Sequence, residues 1–135
     1  MSYWLLKTEP QDFSWNDMVC SNITIWDNIR NYQAQNYLKL MKLNDLAFFY
    51  HSGQEKSIIG IVSIHKEFYL FNANDKFGVI DVKTYTKLKK SVHLKDIKLN
   101  PNLTNIIMLR QPRLSVSPLT EKEWHCILEL SETLL

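Results

Sequence analysis

The apolar run Leu46–Tyr50 limits the possible folds of this chain more than any other stretch. Its five residues, LAFFY, are all apolar or aromatic and predict a strand buried within a sheet. After a turn at Gly53, the run Ser57–Ile64 is rich in isoleucine and predicts a second strand. Two such runs joined by a short turn predict a hairpin, and we expect the rest of the chain to pack around it.

Further strands are predicted on both sides of this hairpin. Tyr3–Lys7 is expected to form the first strand of the sheet. Val79–Tyr85 alternates apolar and charged side chains over its first residues, as a half-exposed strand does. Arg113–Val116 repeats that alternation, so Arg113 and Ser115 are expected to share one face of a strand.

Helices are predicted from their end signals and apolar stripes. Ser14 and Thr120 are each followed by an acidic residue three positions later, so we expect both to cap helix N-termini. Apolar residues at helical spacing predict another helix over residues 31–41. The last helix would dock on the core through Trp124, Ile127 and Leu128. The predicted fold class is α+β, with a mostly antiparallel, strongly curved sheet and helices around it.

Length and composition predict a single domain over residues 1–135. Hydrophobic residues make up 45% of the chain, and its three glycines and four prolines form no linker. No apolar run approaches the roughly 20 residues of a membrane span. Cys20 and Cys126 lack metal-ligand or disulfide spacing, which is typical of free thiols in a reducing compartment. We therefore expect a soluble, cytoplasmic protein without a membrane partner.

The basic residues are concentrated in the middle of the chain. The formal net charge is only +2, but residues 61–119 carry ten basic against four acidic side chains. This excess predicts a phosphate-facing surface. Alternatively, the lysines protect an exposed edge strand from aggregation, a common use of that residue. The lysines concerned are Lys83, Lys87, Lys89, Lys90, Lys95 and Lys98.

Signatures of catalysis or of cofactor binding are absent from the sequence. Its glycines are isolated, so no phosphate-binding loop is present, and its four histidines never occur at metal-ligand spacing. We expect neither a cofactor nor a metal. One enzymatic alternative stays open, a nuclease or hydrolase that uses Asp27, His51 and Asp45.

The stretch Ile25–Asn36 is unusually rich in planar hydrogen-bonding groups. It contains Trp26, Arg30 and five side-chain amides. A tryptophan face stacks on planar rings, while amides and arginine match the donors and acceptors of a nucleobase edge. The alternative is structural, with Trp26 in the core and the amides serving as helix caps and solvated surface.

Several segments of the chain resemble those of one known family. The chain is similar to EVE domain proteins, including the bacterial EVE proteins and the thymocyte nuclear protein family, within the PUA-like superfamily. It differs from the usual family pattern in having Asn28 for glycine, Gln35 for arginine and Gly53 for asparagine, and in having Phe68–Ala73 in place of a proline-containing stretch. The matching segments, in family order, are Tyr3–Pro10, Trp26–Asn36, Met41–Asp45, Phe49–Ser52, Ile59–Ile61 and Arg113–Val116.

The resemblance implies a PUA-like, incomplete β-barrel with surrounding helices and a pocket for a single base. It also implies a non-catalytic module that binds DNA or RNA and accepts a modified nucleobase flipped out of its stack. Methylated or hydroxymethylated cytosine and methylated adenine are the expected bases. A sensor of free modified nucleosides is a second alternative to the enzyme. The implied location is the nucleoid for a bacterial protein and the nucleus for a eukaryotic one.

Site residues also follow from the resemblance. Trp26 is expected to be the stacking wall, because the similar YTH domains have a tryptophan just before a helix. Asn31 is expected to bond a ring nitrogen of the base, with a helix cap as its alternative. The other expected contacts are Lys7, Thr8, His51 and Ser52 on the base edge, Arg30, Arg113 and Ser115 on the base edge or backbone, and Lys83, Lys87, Lys89 and Lys90 on phosphate.

Overall fold

A computed structural model describes residues 1–135 and contains one six-stranded sheet. The strand order is β2-β5-β4-β3-β1-β6, so β2 and β6 are the two edges. Only β1 and β3 pair in parallel, and the predicted β3–β4 hairpin is antiparallel. The predicted mixed α+β architecture is thus confirmed. The strands are β1 (Tyr3–Thr8), β2 (Ile23–Trp26), β3 (Leu46–His51), β4 (Ser57–Tyr69), β5 (Val79–His93) and β6 (Val116–Leu119).

Five α-helices pack against this sheet. Ser14 and Thr120 each accept a hydrogen bond from a backbone N–H of the first turn and take part in complete capping boxes, as predicted. Asn31 caps the second helix in the same way. The helices are α1 (Trp15–Ser21), α2 (Tyr32–Leu40), α3 (Leu94–Leu99), α4 (Ile107–Arg110) and α5 (Glu121–Leu130), and a short 3₁₀ turn spans Pro101–Leu103.

The central strands are buried on both faces of the sheet. Along β3, Ala47 and Phe49 belong to one apolar cluster, whereas Phe48 and Tyr50 belong to another. Helices α1 and α2 contribute to the first cluster, and α3, α4 and α5 contribute to the second. Every residue of β3 is buried. The uninterrupted apolar run of this strand is explained by the two covered faces.

Helix α1 approaches the sheet closely at a single glycine. The ring of Trp15 packs over Gly60 in β4, where an added Cβ would lie only 2.5 Å from the ring. Trp15 also meets Phe49 edge to face, with ring centroids 5.3 Å apart. The missing side chain at Gly60 therefore fixes the position of α1 and of the loop that precedes it.

Three strand predictions need correction. β4 and β5 continue well beyond the predicted segments, because they form one long antiparallel pair with several register shifts. The strand predicted at Arg113–Val116 begins only at Val116. The chain before it forms a turn in which the N–H of Leu114 donates to the carbonyl of Gln111. Arg113 and Ser115 therefore do not share a strand face.

Candidate functional site

A cavity of about 720 Å³ lies beside the edge strand β2, and we call it the β2 cavity. Its volume is within the range of small-ligand pockets. Because Ser115 directly precedes the other edge strand, the cavity joins residues from both edges of the sheet, and the sheet is therefore curled into an incomplete barrel. The lining residues are Lys7, Thr8, Glu9, Asp12, Phe13, Ile23–Ile29 and Ser115.

Two aromatic side chains form the apolar wall of the β2 cavity. Trp26 is only 6% exposed and belongs to the apolar cluster beneath α1 and α2. Its ring meets Phe49 and Phe13 edge to face, with centroid distances of 5.7 and 6.2 Å. Phe13 is the more accessible of the two rings that line the cavity. Trp26 thus supports the wall from the core, and Phe13, which the sequence analysis did not select, presents the more exposed ring.

The end of β1 supplies polar groups to the same cavity. The Lys7 ammonium donates to the carbonyl of Pro112 at 2.9 Å, and burial lowers the pKa of Lys7 below its usual value. The Thr8 hydroxyl donates to the carbonyl of Phe13 at 3.0 Å, which fixes the turn that carries the aromatic ring. Lys7, Thr8, Trp26 and Ser115 are therefore the predicted site residues that the fold brings together.

Three carboxylates lie on the cavity lining, and of these the sequence analysis selected only Asp27, as part of the enzymatic alternative. Glu9 and Asp12 lie in the turn after β1, and Asp27 follows β2. All three side chains are exposed and can accept hydrogen bonds from a ligand. Since they lie on two segments far apart in the chain, no local pattern relates them. A carboxylate can accept from the exocyclic amino group of cytosine, so this lining suits a base edge better than a phosphate.

The loop after β2 depends on a left-handed residue at Asn28. Asn28 has φ +61°, and the asparagine side chain tolerates this region better than most. The glycine that is usual at this position in EVE sequences has the same freedom. At Gly53, which has φ +77°, the difference is reversed: this chain has glycine where EVE sequences usually have asparagine.

We expect Asn28→Gly to leave stability unchanged or slightly raised, and Asn28→Val to lower the free energy of unfolding by about 1–2 kcal/mol. Urea unfolding followed by circular dichroism measures both. Asn36→Val is the matched control, because Asn36 is an exposed helical residue and the two residue types have similar helix propensity. Equal stability of Asn28→Val and wild type would contradict the strain argument.

Two of the other amides of the Ile25–Asn36 stretch, Asn31 and Gln35, have structural roles. Asn31 accepts from the N–H of Ala34 at 3.0 Å as the cap of α2. Gln35 is buried, donates to the carbonyls of Ile29 and Gly78, and accepts from the N–H of Gly78. It thereby ties the loop after β2 to the start of β5. Asn28 alone among the five amides lines the β2 cavity.

His51 links elements of the fold and does not line the β2 cavity. Its Nε2 accepts from the backbone N–H of Trp15 at 3.0 Å, and its Nδ1 lies 2.6 Å from the Glu55 carboxylate. These partners occupy both ring nitrogens, with Nδ1 as the donor. The N–H of Ser52 donates to the carbonyl of Thr8. Ser52 therefore holds the ends of β1 and β3 together, and His51 links the end of β3 to the start of α1.

Neither of the two arginines predicted to contact the base edge or the backbone lines the β2 cavity. Arg113 and Asn31 line a cavity of about 370 Å³ between α2 and the turn before β6. Arg30 lines a cavity of about 560 Å³, which we call the Phe71 cavity. The Phe71 cavity is lined by Ile25, Asp27–Arg30, Phe71, Asn72 and Asp75–Val79.

The four predicted phosphate-facing lysines are spread along β5 and do not surround the cavity. Lys83 pairs with Ile23 of β2 and lies nearest to it. Lys90 is seven residues further on, about 20 Å along an extended strand, and its ammonium is 3.0 Å from the Glu132 carboxylate. Lys89 lies beside the same C-terminal segment. Only Lys83 is thus placed to attract phosphate next to the β2 cavity.

The residues of the enzymatic alternative do not form one centre. Asp45 precedes β3 and His51 ends it, which separates them by about 20 Å of extended chain. Asp27 lies at the β2 cavity, apart from both. No group of three or more histidine, cysteine or acidic residues is arranged to hold a metal ion. No helix is long and apolar enough to cross a membrane.

The curled mixed sheet, its flanking helices and the cavity at its open seam define a PUA-like α+β domain. Comparison with known families identifies the particular one. The family model of the EVE domain matches residues 2–130, and the chain belongs to the EVE domain family. The family predicted from the sequence is confirmed.

Relatives and solved structures support this assignment over nearly the whole chain. Thymocyte nuclear protein 1 of Gallus gallus is 34% identical over 166 aligned positions, which cover 96% of this chain and 69% of the relative. A protein of Rhodopseudomonas palustris solved by NMR is 34% identical, with a TM-score of 0.94 over 100% of this chain and 96% of that one. Human thymocyte nuclear protein 1, crystallised with DNA containing 5-methylcytosine, is 32% identical, with a TM-score of 0.90 over 100% of both chains.

Proposed function

We propose that this protein is a non-catalytic nucleic-acid-binding module that accepts one modified base in the β2 cavity. The observation that carries the proposal is a cavity with an aromatic wall and hydrogen-bonding lining in a chain whose human relative was crystallised with 5-methylcytosine DNA. That relative matches the present chain over its full length, so the segments that form the cavity have counterparts in it. Methylated or hydroxymethylated cytosine is the preferred class of base.

The lining of the β2 cavity supports recognition of a cytosine. Phe13 offers a ring for stacking, and Trp26 holds that ring from behind. The carboxylates of Glu9, Asp12 and Asp27 can accept from the N4 amino group, which methylation at C5 leaves in place. Ile23, Ile25 and Ile29 are the aliphatic side chains on the lining that a 5-methyl group can contact. The same carboxylates repel phosphate, so the base enters the cavity and the backbone stays outside.

The energetics favour a base that is already weakly stacked. Flipping a base out of a duplex costs a few kcal/mol, and stacking on an aromatic side chain recovers roughly 1–3 kcal/mol. Lys83 beside β2 and Arg30 after it can add salt-dependent attraction for the backbone. Single-stranded or mismatched substrates should therefore bind more tightly than a perfect duplex.

Because its proposed ligand is nucleic acid, we propose that the protein is located with nucleic acid in the cell, in the nucleoid of a bacterium or the nucleus of a eukaryote.

Fluorescence anisotropy with short labelled oligomers tests the proposal. Each DNA or RNA oligomer carries one methylated or hydroxymethylated cytosine, one methylated adenine or only unmodified bases. We expect one modified oligomer to bind at least about tenfold more tightly than its control, a difference of roughly 1.4 kcal/mol. We also expect Asp27→Asn to weaken binding of modified and unmodified cytosine oligomers alike, because the amide offers only one acceptor oxygen to the N4 amino group that both bases carry.

Asp96→Asn is the matched control, because Asp96 is an exposed carboxylate on α3, away from the cavity. It should leave the affinity for every oligomer unchanged. Equal binding of modified and unmodified oligomers would overturn the proposal. A free modified nucleoside that binds as tightly as the oligomer would instead indicate a nucleoside sensor. Cleaved oligomers after incubation would indicate a nuclease or hydrolase.

A further inference from the structure

The Phe71 cavity is next to the β2 cavity and shares a wall with it. Both cavities are lined by Ile25 and by Asp27–Ile29, so this loop separates two adjoining spaces. The opposite wall of the Phe71 cavity comes from the segment between β4 and β5. A ligand that fills the β2 cavity therefore has a second cavity of about 560 Å³ directly beside it.

Aromatic rings line and border the Phe71 cavity. Phe71 is 62% exposed, which is unusual for a phenylalanine in a soluble domain. Phe77 lines the cavity and contacts the ring of Tyr32, with centroids 5.4 Å apart. Tyr32 is itself 62% exposed. Exposed planar rings that contact no core provide stacking surfaces for a base.

Two cationic side chains, Lys76 and Arg30, line the same cavity as these rings. The Lys76 ammonium lies 5.3 Å from the ring centroid of Tyr32 and 5.5 Å from that of Phe77. Arg30 lines the cavity, is exposed and forms no ion pair with another side chain. The Asp75 carboxylate accepts from the N–H of Asn72 at 2.9 Å, which holds it within its own loop. The Phe71 cavity thus combines stacking rings with two cationic side chains, neither of which forms an ion pair.

We propose that the Phe71 cavity is a second base subsite, which takes the nucleotide adjoining the modified base in the same strand. This inference rests on the proposed function of the β2 cavity. Phe71 and Phe77 would stack on the neighbouring base, and Arg30 would contact the phosphate that joins the two nucleotides. The ligand unit is therefore a single-stranded dinucleotide, and Phe71 and Asn72, in the segment between β4 and β5, form part of the wall of the second subsite.

Isothermal titration calorimetry with three ligands tests the subsite. The first ligand is the mononucleotide of 5-methylcytosine. The second is a dinucleotide that adds a neighbouring nucleotide, tested on the 5′ and on the 3′ side, and the third is the same dinucleotide with an abasic second sugar. We expect the complete dinucleotide to bind about tenfold more tightly than the abasic one. Phe71→Ala should abolish this gain without weakening the mononucleotide, and Phe71→Trp should restore it.

Leu99→Ala is the matched control, because Leu99 is 81% exposed at the end of α3, remote from both cavities. It should keep the full gain. Equal binding of the complete and abasic dinucleotides would overturn the subsite and leave the proposed function intact. Loss of duplex binding in Phe71→Ala, with dinucleotide binding unchanged, would also overturn it and indicate a wedge inserted into the duplex. If the unmodified dinucleotide binds as tightly as the modified one and shows the same tenfold gain over its abasic form, the subsite stands and the modified-base proposal fails.

Discussion

Replacing Trp26 by alanine is expected to lower the free energy of unfolding by about 3–5 kcal/mol, the range for a large aromatic side chain removed from a core. Trp26 is 6% exposed and packs edge to face against Phe13 and Phe49. Its loss would leave a void beneath α1 and α2 and remove the support of Phe13. Any loss of base binding in this variant would then follow from unfolding.

Urea unfolding followed by far-ultraviolet circular dichroism measures this effect. Trp26→Phe should recover much of the stability, since a smaller aromatic ring keeps part of the packing. Tyr85→Ala is the control, because Tyr85 is 53% exposed on β5 and its removal leaves no void in the core. A Trp26→Ala protein as stable as the wild type but without modified-base preference would instead support the stacking role predicted from the sequence.

The second large effect is expected at Asp45, where Asp45→Ala should lower the free energy of unfolding by about 3 kcal/mol. This carboxylate is only 4% exposed. It accepts from the indole N–H of Trp4 at 3.1 Å and from the backbone N–H groups of Ser2 and Lys42 at 3.1 and 3.0 Å. Alanine would leave the indole donor buried without a partner, and such a group carries a desolvation penalty.

Thermal and urea unfolding of Asp45→Ala, with Asp96→Ala as the exposed control, test this role. Asp45→Asn should lie between the alanine variant and the wild type, because its single amide oxygen can keep only part of the acceptor capacity. At a temperature where Asp45→Ala is folded, oligomer binding should equal that of the wild type. A variant of unchanged stability that had lost an oligomer-cleaving activity would contradict the structural role and support the hydrolase alternative.

The parts of the fold that depend on short stretches of chain were predictable. Both capping boxes follow from residues three positions apart, and the β3–β4 hairpin follows from two apolar runs around one turn. Helix α2 and its cap at Asn31 follow from local spacing in the same way. Resemblance of ordered motifs identified the EVE family. These features were readable because the interactions that form them lie within a few residues of one another.

Strand β2 and the start of β6 were not predictable on the same basis. β2 has four residues with two half-exposed isoleucines, and it becomes a strand only by pairing with β5, more than fifty positions away. Arg113 and Ser115 alternate with apolar residues as a strand would, but pairing with β1 ends at Leu6 and Val116. At a sheet edge, whether a segment forms a strand depends on whether a neighbouring strand is in position to pair with it.

The candidate site likewise contains some residues that were predictable from the sequence and others that were not. The sequence by itself determined the family, the α+β class and four residues of the β2 cavity, namely Lys7, Thr8, Trp26 and Ser115. Only the tertiary structure added Phe13, Glu9 and Asp12, brought Asp27 onto the same lining, decided that Trp26 is buried in the core, and placed the Phe71 cavity alongside. The physical reason is that a cavity is enclosed by segments that meet across the curled sheet, and their distances are set by strand pairing and packing rather than by spacing along the chain.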